Sequence, residues 1–428
     1  MIAHDYKILI ISHNPLSETS NMGKTIGAFV RSFKLDNVAQ LYLHQETPNS
    51  PYCNNYYCFT DKDALKSILL RWLKGNVISK KYNFEEKRDT NFGSLYKIGR
   101  YKSPIICMAR DIIWSLSNIF NSKLKKWAKD FNPDFIFFAS GESVFSYKIA
   151  RRISKYLNKP LVTICMDDYY IQVENEGKMF SKYYHKKLLN NAKKLFNQSS
   201  CTFSFNEEMS LEYGKLFNRE FPVLYNAASK LNEVDIKNKE GISYLGGLGL
   251  KRDDQLISIA NSLQNIKLDG FKPKMNVYSN GLSQETKLKF DKCPIIEFMG
   301  SAGALEVKNI ISNSKCLLHV ESFDEKLYGR LRYSLSTKIP ESLGSHTLLV
   351  AFGPKGLASM NYLKKYDAAI VSDNIDELIS KLSKAIGDEK EYKRIIGNAY
   401  RLYLQNHTPE AVAEKFIFEI QKAIRRQV

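Results

Sequence analysis

Short apolar runs alternate with stretches of helical period along most of the chain. Residues 7–11 predict a first strand; the loop after it, 12–23, carries His13 and ends at Gly23, and a helix follows near 24–33. A strand, a glycine-bearing loop and a helix make the opening βα unit of a doubly wound sheet. Residues 40–43 predict a second strand. Beyond residue 133 the rhythm is regular, with strands expected at 134–138, 160–166, 201–205 and 221–225 and helices at 144–157, 179–195 and 207–216. The pattern then restarts with a strand at 242–245, the loop Gly246-Gly247-Leu248-Gly249 and a helix at 253–263. Strands at 274–278, 295–298, 316–320, 348–352 and 368–371 follow, with helices at 304–312, 339–343, 375–386, 388–406 and 409–425. Such alternation predicts parallel sheets covered by helices on both faces.

Two restarts, each from a strand and a glycine loop, predict an α/β chain of two Rossmann-like domains facing a cleft. The expected domains are 1–230 and 241–407, joined by the polar stretch 230–240, with the segment 408–428 packing back toward the first domain. The region 45–130 breaks the rhythm and is strongly basic. Two of its stretches, 65–74 and 105–127, have helical periodicity. The first sets Leu65, Ile68, Leu69, Trp72 and Leu73 on one face with Lys66, Arg71 and Lys74 nearby. A basic amphipathic helix carrying tryptophan can lie in a membrane interface, and the plainer reading is a helix packed on its own domain.

A length of 428 residues suits two domains of roughly 200 residues each. The apolar share of 44% and charged share of 25% are those of a globular protein. The charge balance is the extreme quantity: 63 Lys and Arg against 45 acidic residues give +18. That excess favours an anionic partner, whether nucleic acid, a membrane surface or a phosphorylated substrate. The cations are spread over the whole chain with no nucleic-acid-binding motif, so no nucleic acid is expected. The seven cysteines are scattered, mostly within apolar runs, and complete no zinc pattern. They are expected as small buried hydrophobes, with no metal and no cofactor. The apolar run at 8–11 is too short for a signal peptide, and no window reaches the roughly 18 apolar residues of a membrane span. A cytoplasmic location follows as the expectation.

In open parallel sheets ligands lie beyond the carboxyl ends of the strands, so the loops after strands are the places to search. The glycines of 246–249 let a phosphate approach the main chain, and Arg252 follows at a helix start, although glycines after a strand are often only a tight turn. The segment 330–343 is richer. Ser336 or Thr337 can cap a helix with Pro340 in its first turn, and the free N–H groups there, with Lys338 and the arginines, would cradle a diphosphate. Glu341 is placed to accept from ribose hydroxyls. Asp167 and Asp168 close the strand at 160–166, and adjacent residues at a strand end point oppositely, so one at most faces a cleft.

The second half resembles glycosyltransferase family 4, GT-B enzymes that include many of the bacterial surface-polysaccharide type. The likeness rests on Thr337-Lys338-Ile339-Pro340-Glu341-Ser342-Leu343 with the strand at 348–351, and on Tyr244-Leu245-Gly246-Gly247. Asn226 after a strand and Ser204-Phe205-Asn206-Glu207 add to it, and together they span about residues 160 to 400. Tyr333 stands where many relatives carry a first glutamate, His346-Thr347-Leu348 replaces a Gly-Lys-Pro turn, and Asn226 precedes Ala227 where the family has glycine. The resemblance implies transfer of a sugar from a nucleoside-diphosphate sugar, with retention and without a bound metal. Diphosphate contacts would fall to Arg252 and Lys338, with Gly247 giving backbone access and Arg332 in reserve; Glu341 would bind ribose and Glu321 the donor sugar. Asp167, Asp168 and His13 are the first-domain candidates for the reacting centre, one aspartate serving as general base if the reaction inverts. Gly23 would let acceptor or phosphate come close. The acceptor would be a glycan or polyprenyl-linked molecule, and a peripheral seat on the anionic inner membrane face would bring the basic insert to it. An epimerase or an idle binding subunit on the same fold is the alternative.

Overall fold

The apolar runs become strands buried on both faces, as parallel sheets require. The computed structural model describes residues 5–18, 21–72, 74–80, 104–171, 179–264 and 273–425; parts of the first loop and of the basic insert (19–20, 73 and 81–103) lie outside the described residues. Contacts divide the chain into two compact units, Met1–Tyr225 with Val412–Val428, and Asn226–Ala411.

The described residues of the first unit hold seven strands: β1 (Ile8–Ser12), β2 (Val38–Tyr42), β3 (Asn55–Cys58), β4 (Asn76–Ser79), β5 (Phe135–Ala139), β6 (Leu161–Cys165) and β7 (Ser199–Ser204). They lie in the order β4-β3-β2-β1-β5-β6-β7. All pairs are parallel except β3 with β4, which are antiparallel at the edge. The second unit holds β8 (Glu240–Leu245), β9 (Met275–Tyr278), β10 (Ile296–Gly300), β11 (Ser314–Val320), β12 (Leu348–Phe352) and β13 (Ile370–Ser372). Its order is β10-β9-β8-β11-β12-β13, parallel throughout. Both sheets are wound outward from a central first strand, the Rossmann arrangement.

Several expectations in the first unit change. The helix expected near 24–33 spans Asn21–Val30, so Gly23 lies within it. Residues 221–225 form no strand; Val223 makes an isolated bridge to Ser204. The insert contributes β3 and β4, and its second helical stretch is two helices, Pro104–Leu116 and Ser122–Phe131. The break has a cause: Asn121 accepts from the backbone N–H groups of Lys123 and Leu124 and so caps the second helix. The other helix runs Asp61–Leu69, started by a capping box of Thr60 and Asp63. The helix Pro409–Arg425 enters the first unit from residue 412 onward. There Phe416 packs on Phe29, Phe137 and Phe203 with ring centroids 5.9, 4.9 and 5.6 Å apart, the geometry of favourable aromatic pairs. Six of the seven cysteines are buried and Cys107 is half-buried, all with free thiols. No described helix is long and apolar enough to cross a membrane.

The second unit contains a buried histidine with a consequence for stability. His407 accepts from the Tyr362 hydroxyl at Nε2 (2.7 Å) and donates from Nδ1 to the Asn226 carbonyl (2.8 Å), and burial pushes its pKa down to about 4. A depressed histidine holds its stability above the unfolded pKa and loses it as pH falls toward the folded one. Stability should therefore drop between about pH 6.5 and pH 4. The loss from this group is about 3 kcal/mol at most. His407→Gln keeps a donor and an acceptor without the titration, so denaturant unfolding of that variant should show a flatter acid slope than wild type.

Candidate active site

In the second unit the strand order reverses between β8 and β11, and ligands bind at such a switch point beyond the carboxyl ends of strands. A cavity of about 600 Å³ lies there, lined by Gly246–Leu248 after β8, Ser279–Gly281 after β9, Ser301 and Ala302 after β10, and His319–Glu321 at the end of β11. Ser336, Lys338, Glu341 and Ser342 close it.

The loop after β8 is built for close approach. Gly246 donates its N–H to the Tyr278 carbonyl (3.0 Å), and the Tyr244 hydroxyl donates to the Gly247 carbonyl (2.8 Å). A β-carbon at Gly246 would come within 2.7 Å of the Tyr244 hydroxyl and 2.9 Å of Lys338 Nζ, whereas one at Gly247 would meet nothing within 4 Å. Gly246 therefore seats the lysine, and Gly247 borders open space. Leu250 and Lys251 follow in left-handed conformation, with φ of 62° and 56°. This strain is of order 1–2 kcal/mol per residue. It turns the chain into the helix Arg252–Leu263, and Arg252, its first residue, reaches the cavity wall.

Arg252 donates to Glu321 Oε2 from Nη2 (2.8 Å) and Nε (3.1 Å). Glu321 is buried at the end of β11, its backbone N–H bonded to the Phe352 carbonyl (2.9 Å), which anchors the main chain that carries the carboxylate. His319, also buried, is 3.8 Å from Glu321 Oε1, beyond hydrogen-bond distance, and its Nε2 has no partner among the described residues. Burial lowers its pKa, keeping the ring neutral. Lys338 is exposed to the cavity, yet desolvation and then the Arg252 charge lower its pKa, with Glu341 and Glu321 acting the other way.

Glu341 sits on the short helix Ile339–Leu343, whose far end is held firmly. The buried Lys239 donates from Nζ to Thr347 Oγ1 (2.7 Å) and the Ser345 carbonyl (3.2 Å), and burial pushes its pKa down to about 8. Gly344 is pressed against the Tyr403 ring, where a β-carbon would be 2.9 Å away. The helix start differs from expectation. Ile339 N–H bonds to the Ser336 carbonyl (3.1 Å), Lys338 N–H to Ser336 Oγ (3.4 Å), and Pro340 has no N–H. Few free N–H groups remain to cradle a diphosphate, which leaves the charge to side chains.

The geometry gathers Gly247, Arg252, Glu321, Lys338 and Glu341 around one cavity. Arg332 is not among its lining residues; it is exposed at the end of the helix Glu325–Arg332 with its guanidinium 5.0 Å from the Tyr333 ring centroid. The loops after β9 and β10, and His319, were not among the sequence candidates, although the rule about strand ends pointed to those loops.

The remaining candidates lie in the first unit. His13, after β1, has its ring 5.0 Å from that of His44, and His44 Nδ1 is 3.7 Å from Glu46 Oε2. Burial, then the nearby Arg110 and His44, push the His13 pKa down to about 3, so it is neutral near pH 7. Gly23 faces its own chain: a β-carbon there would lie 2.4 Å from the Pro15 carbonyl oxygen and 2.7 Å from Ser17 N. Its close approach is to that loop, with no room on that side for a phosphate. Asp167 is exposed, accepting from the Tyr169 hydroxyl at 3.2 Å. Asp168 anchors a turn, its Oδ1 accepting from Tyr170 N–H (3.1 Å), Ile171 N–H (3.1 Å) and the Tyr213 hydroxyl (2.8 Å). Asp168→Ala leaves these donors without their acceptor and should destabilise the protein by about 1–3 kcal/mol in urea unfolding, with or without nucleotide. Among the described residues no three His, Cys, Asp or Glu side chains are grouped to hold a metal ion.

Comparison with solved structures agrees with this architecture. Anabaena HepE, solved with UDP and glucose, superposes with a TM-score of 0.60 at 12% identity, covering 97% of this chain and 100% of that one. The fold is GT-B. A variant of S. aureus TarM, solved with fondaparinux, alpha-GlcNAc-glycerol and UDP, gives 0.59 at 12% identity over 97% and 99% of the two chains. Sucrose-phosphate synthase from Thermosynechococcus elongatus gives 0.59 at 9% identity over 99% and 100%. No protein-family model and no curated protein sequence matches the chain.

Proposed function

We propose that the protein is a glycosyltransferase that moves a sugar from a nucleoside-diphosphate sugar to a glycan or polyprenyl-linked acceptor, with the donor held in the cavity of the second unit. The observation that carries this reading is the convergence of Arg252, Lys338 and Glu341 on one cavity of about 600 Å³ at the sheet's switch point. That volume is in the range of small-molecule sites. The two cations suit a diphosphate, and Glu341 suits the ribose hydroxyls. The unpartnered Nε2 of His319 supplies a further polar contact. HepE and TarM, of the same fold, were solved with UDP, which makes uridine nucleotides the first to test.

In the proposed reaction the bond between the anomeric carbon and the diphosphate oxygen breaks, the acceptor hydroxyl oxygen bonds to that carbon, and its proton passes to the departing diphosphate. Negative charge grows on the departing diphosphate, where preorganised cations contribute most. Glu321 acts here by holding Arg252 in place, a role added to its earlier assignment to the donor sugar. Retention, independence of metal, a hexose donor and a place in bacterial surface-polysaccharide synthesis belong to the same proposal, supported by the family 4 resemblance. Asp167, Asp168 and His13 remain its acceptor-side candidates, with Asp168 the most constrained of them.

A thermal-shift panel of UDP, GDP, dTDP and CMP on wild type and Glu341→Ala tests the reading. A ligand at about 100 times its dissociation constant adds roughly 2.7 kcal/mol of stability. One nucleoside diphosphate should raise the midpoint of wild type and much less that of Glu341→Ala. No shift with any nucleotide would refute the donor site, and a shift without sugar transfer to any glycan would indicate a binding subunit.

A further inference from the structure

Two polar residues stand side by side where a doubly covered strand calls for apolar ones. Along β11, alternate residues Cys316, Leu318 and Val320 pack into the hydrophobic core. His319 and Glu321, two positions apart, therefore share the opposite face, and both are buried at the cavity wall. Gly353, just after β12, makes room for the acid: a β-carbon there would come within 3.1 Å of Glu321 Cβ. Buried polar atoms are hydrogen-bonded as a rule, and His319 Nε2 is an exception among the described residues.

The arginine uses only one oxygen of the carboxylate. Arg252 donates twice to Glu321 Oε2, and Oε1 faces His319 Nε2 at 3.8 Å. That gap is too long for a hydrogen bond, yet short enough for one oxygen atom to lie within about 2.8 Å of both groups. The ring is neutral, so with its proton on Nε2 it offers a donor, while the carboxylate offers an acceptor. What fits between them must accept from the one and donate to the other. A phosphate oxygen only accepts, and it would stand against the Glu321 charge. An ammonium group only donates. A hydroxyl does both. The imide edge of a base does so too, but a base is separated from the diphosphate by its ribose. The carboxylate that faces His319 also holds Arg252, the proposed diphosphate contact, and the donor sugar is joined directly to that diphosphate.

We propose that His319 determines which donor sugar is taken, its Nε2 and Glu321 Oε1 bracketing one sugar hydroxyl. The inference rests on the donor-site reading above and names the feature of the sugar which that site selects. A sugar without this hydroxyl leaves both groups unpaired in a buried site, which is how such sites reject an analogue. The test is calorimetric binding of UDP, GDP and dTDP, each beside its glucose and galactose esters, to wild type, His319→Phe and His319→Gln. The ester that wild type holds most tightly should bind His319→Phe about 10–100-fold more weakly. Its parent diphosphate should bind both proteins alike, which also shows that the cavity of the variant is folded. A glutamine amide restores an N–H donor, so His319→Gln should recover most of the loss. Mono-deoxy forms of the same ester locate the hydroxyl: one should bind wild type at least about tenfold more weakly, and His319→Phe should feel that deletion much less. Equal losses of diphosphate and ester in His319→Phe would place Nε2 on the nucleotide and overturn the proposal. So would an ester bound equally by His319→Phe and wild type; in either case the donor site itself stands. A wild type that binds no diphosphate and no ester refutes the donor site and this inference with it.

Discussion

Replacing Lys338 by methionine is expected to reduce sugar transfer by about 10²–10³-fold, the loss seen when one preorganised stabiliser of developing charge is removed. Lys338 and Arg252 border one cavity and the arginine charge helps lower the lysine's pKa, so without an anion the two cations repel. A diphosphate relieves that repulsion and raises the Lys338 pKa again. Binding should then take up protons on the alkaline side and weaken as pH rises through the lowered pKa of the free lysine. Calorimetric titration in two buffers of different ionisation enthalpy reads the uptake directly. Lys338→Met should bind the nucleotide weakly and without this uptake. Proton uptake unchanged in Lys338→Met would assign the titrating group elsewhere and remove the lysine from the diphosphate site.

The second large effect concerns Arg252. Its partner Glu321 is buried, and a buried charge left without its counter-ion destabilises by about 3–5 kcal/mol. Arg252→Met should therefore lower both stability and transfer. Adding Glu321→Gln removes the stranded carboxylate, so the double variant should recover most of the stability and none of the transfer. Glu321→Gln alone should keep the arginine but loosen it, lowering kcat more than it lowers nucleotide affinity. A double variant that regained transfer would mean that Arg252 serves only the fold.

The topology of both units was readable because parallel strands buried on both faces are near-continuous apolar runs, as at 316–320 and 348–352. The edge pair β3 and β4 was not readable. Each has four residues, and Asn55, Tyr56, Tyr57 and Cys58 alternate by no simple period; their pairing depends on the adjacent β2. Helical period carried the reading straight through residues 117–121, where Asn121 caps a new helix and the Asn118 N–H turns to Ser67, a contact that sequence spacing does not show. In the site, Gly247 and Arg252 were visible as a glycine and a charge just after a strand, and Lys338 and Glu341 as charges at the start of an expected helix. The Arg252–Glu321 pair was not, its members being 69 positions apart. Gly23 was misleading for the same reason. A glycine in a loop-to-helix junction signals a close approach, and only the fold shows that the approaching atoms are the Pro15 carbonyl and Ser17.

The most direct measurement is a crystal structure of the full chain with the nucleoside diphosphate that gives the largest thermal shift. The account predicts the diphosphate within hydrogen-bond distance of Arg252 and Lys338 and the ribose hydroxyls on Glu341. A nucleotide bound anywhere else, or in this cavity with its phosphates turned away from both cations, would contradict it.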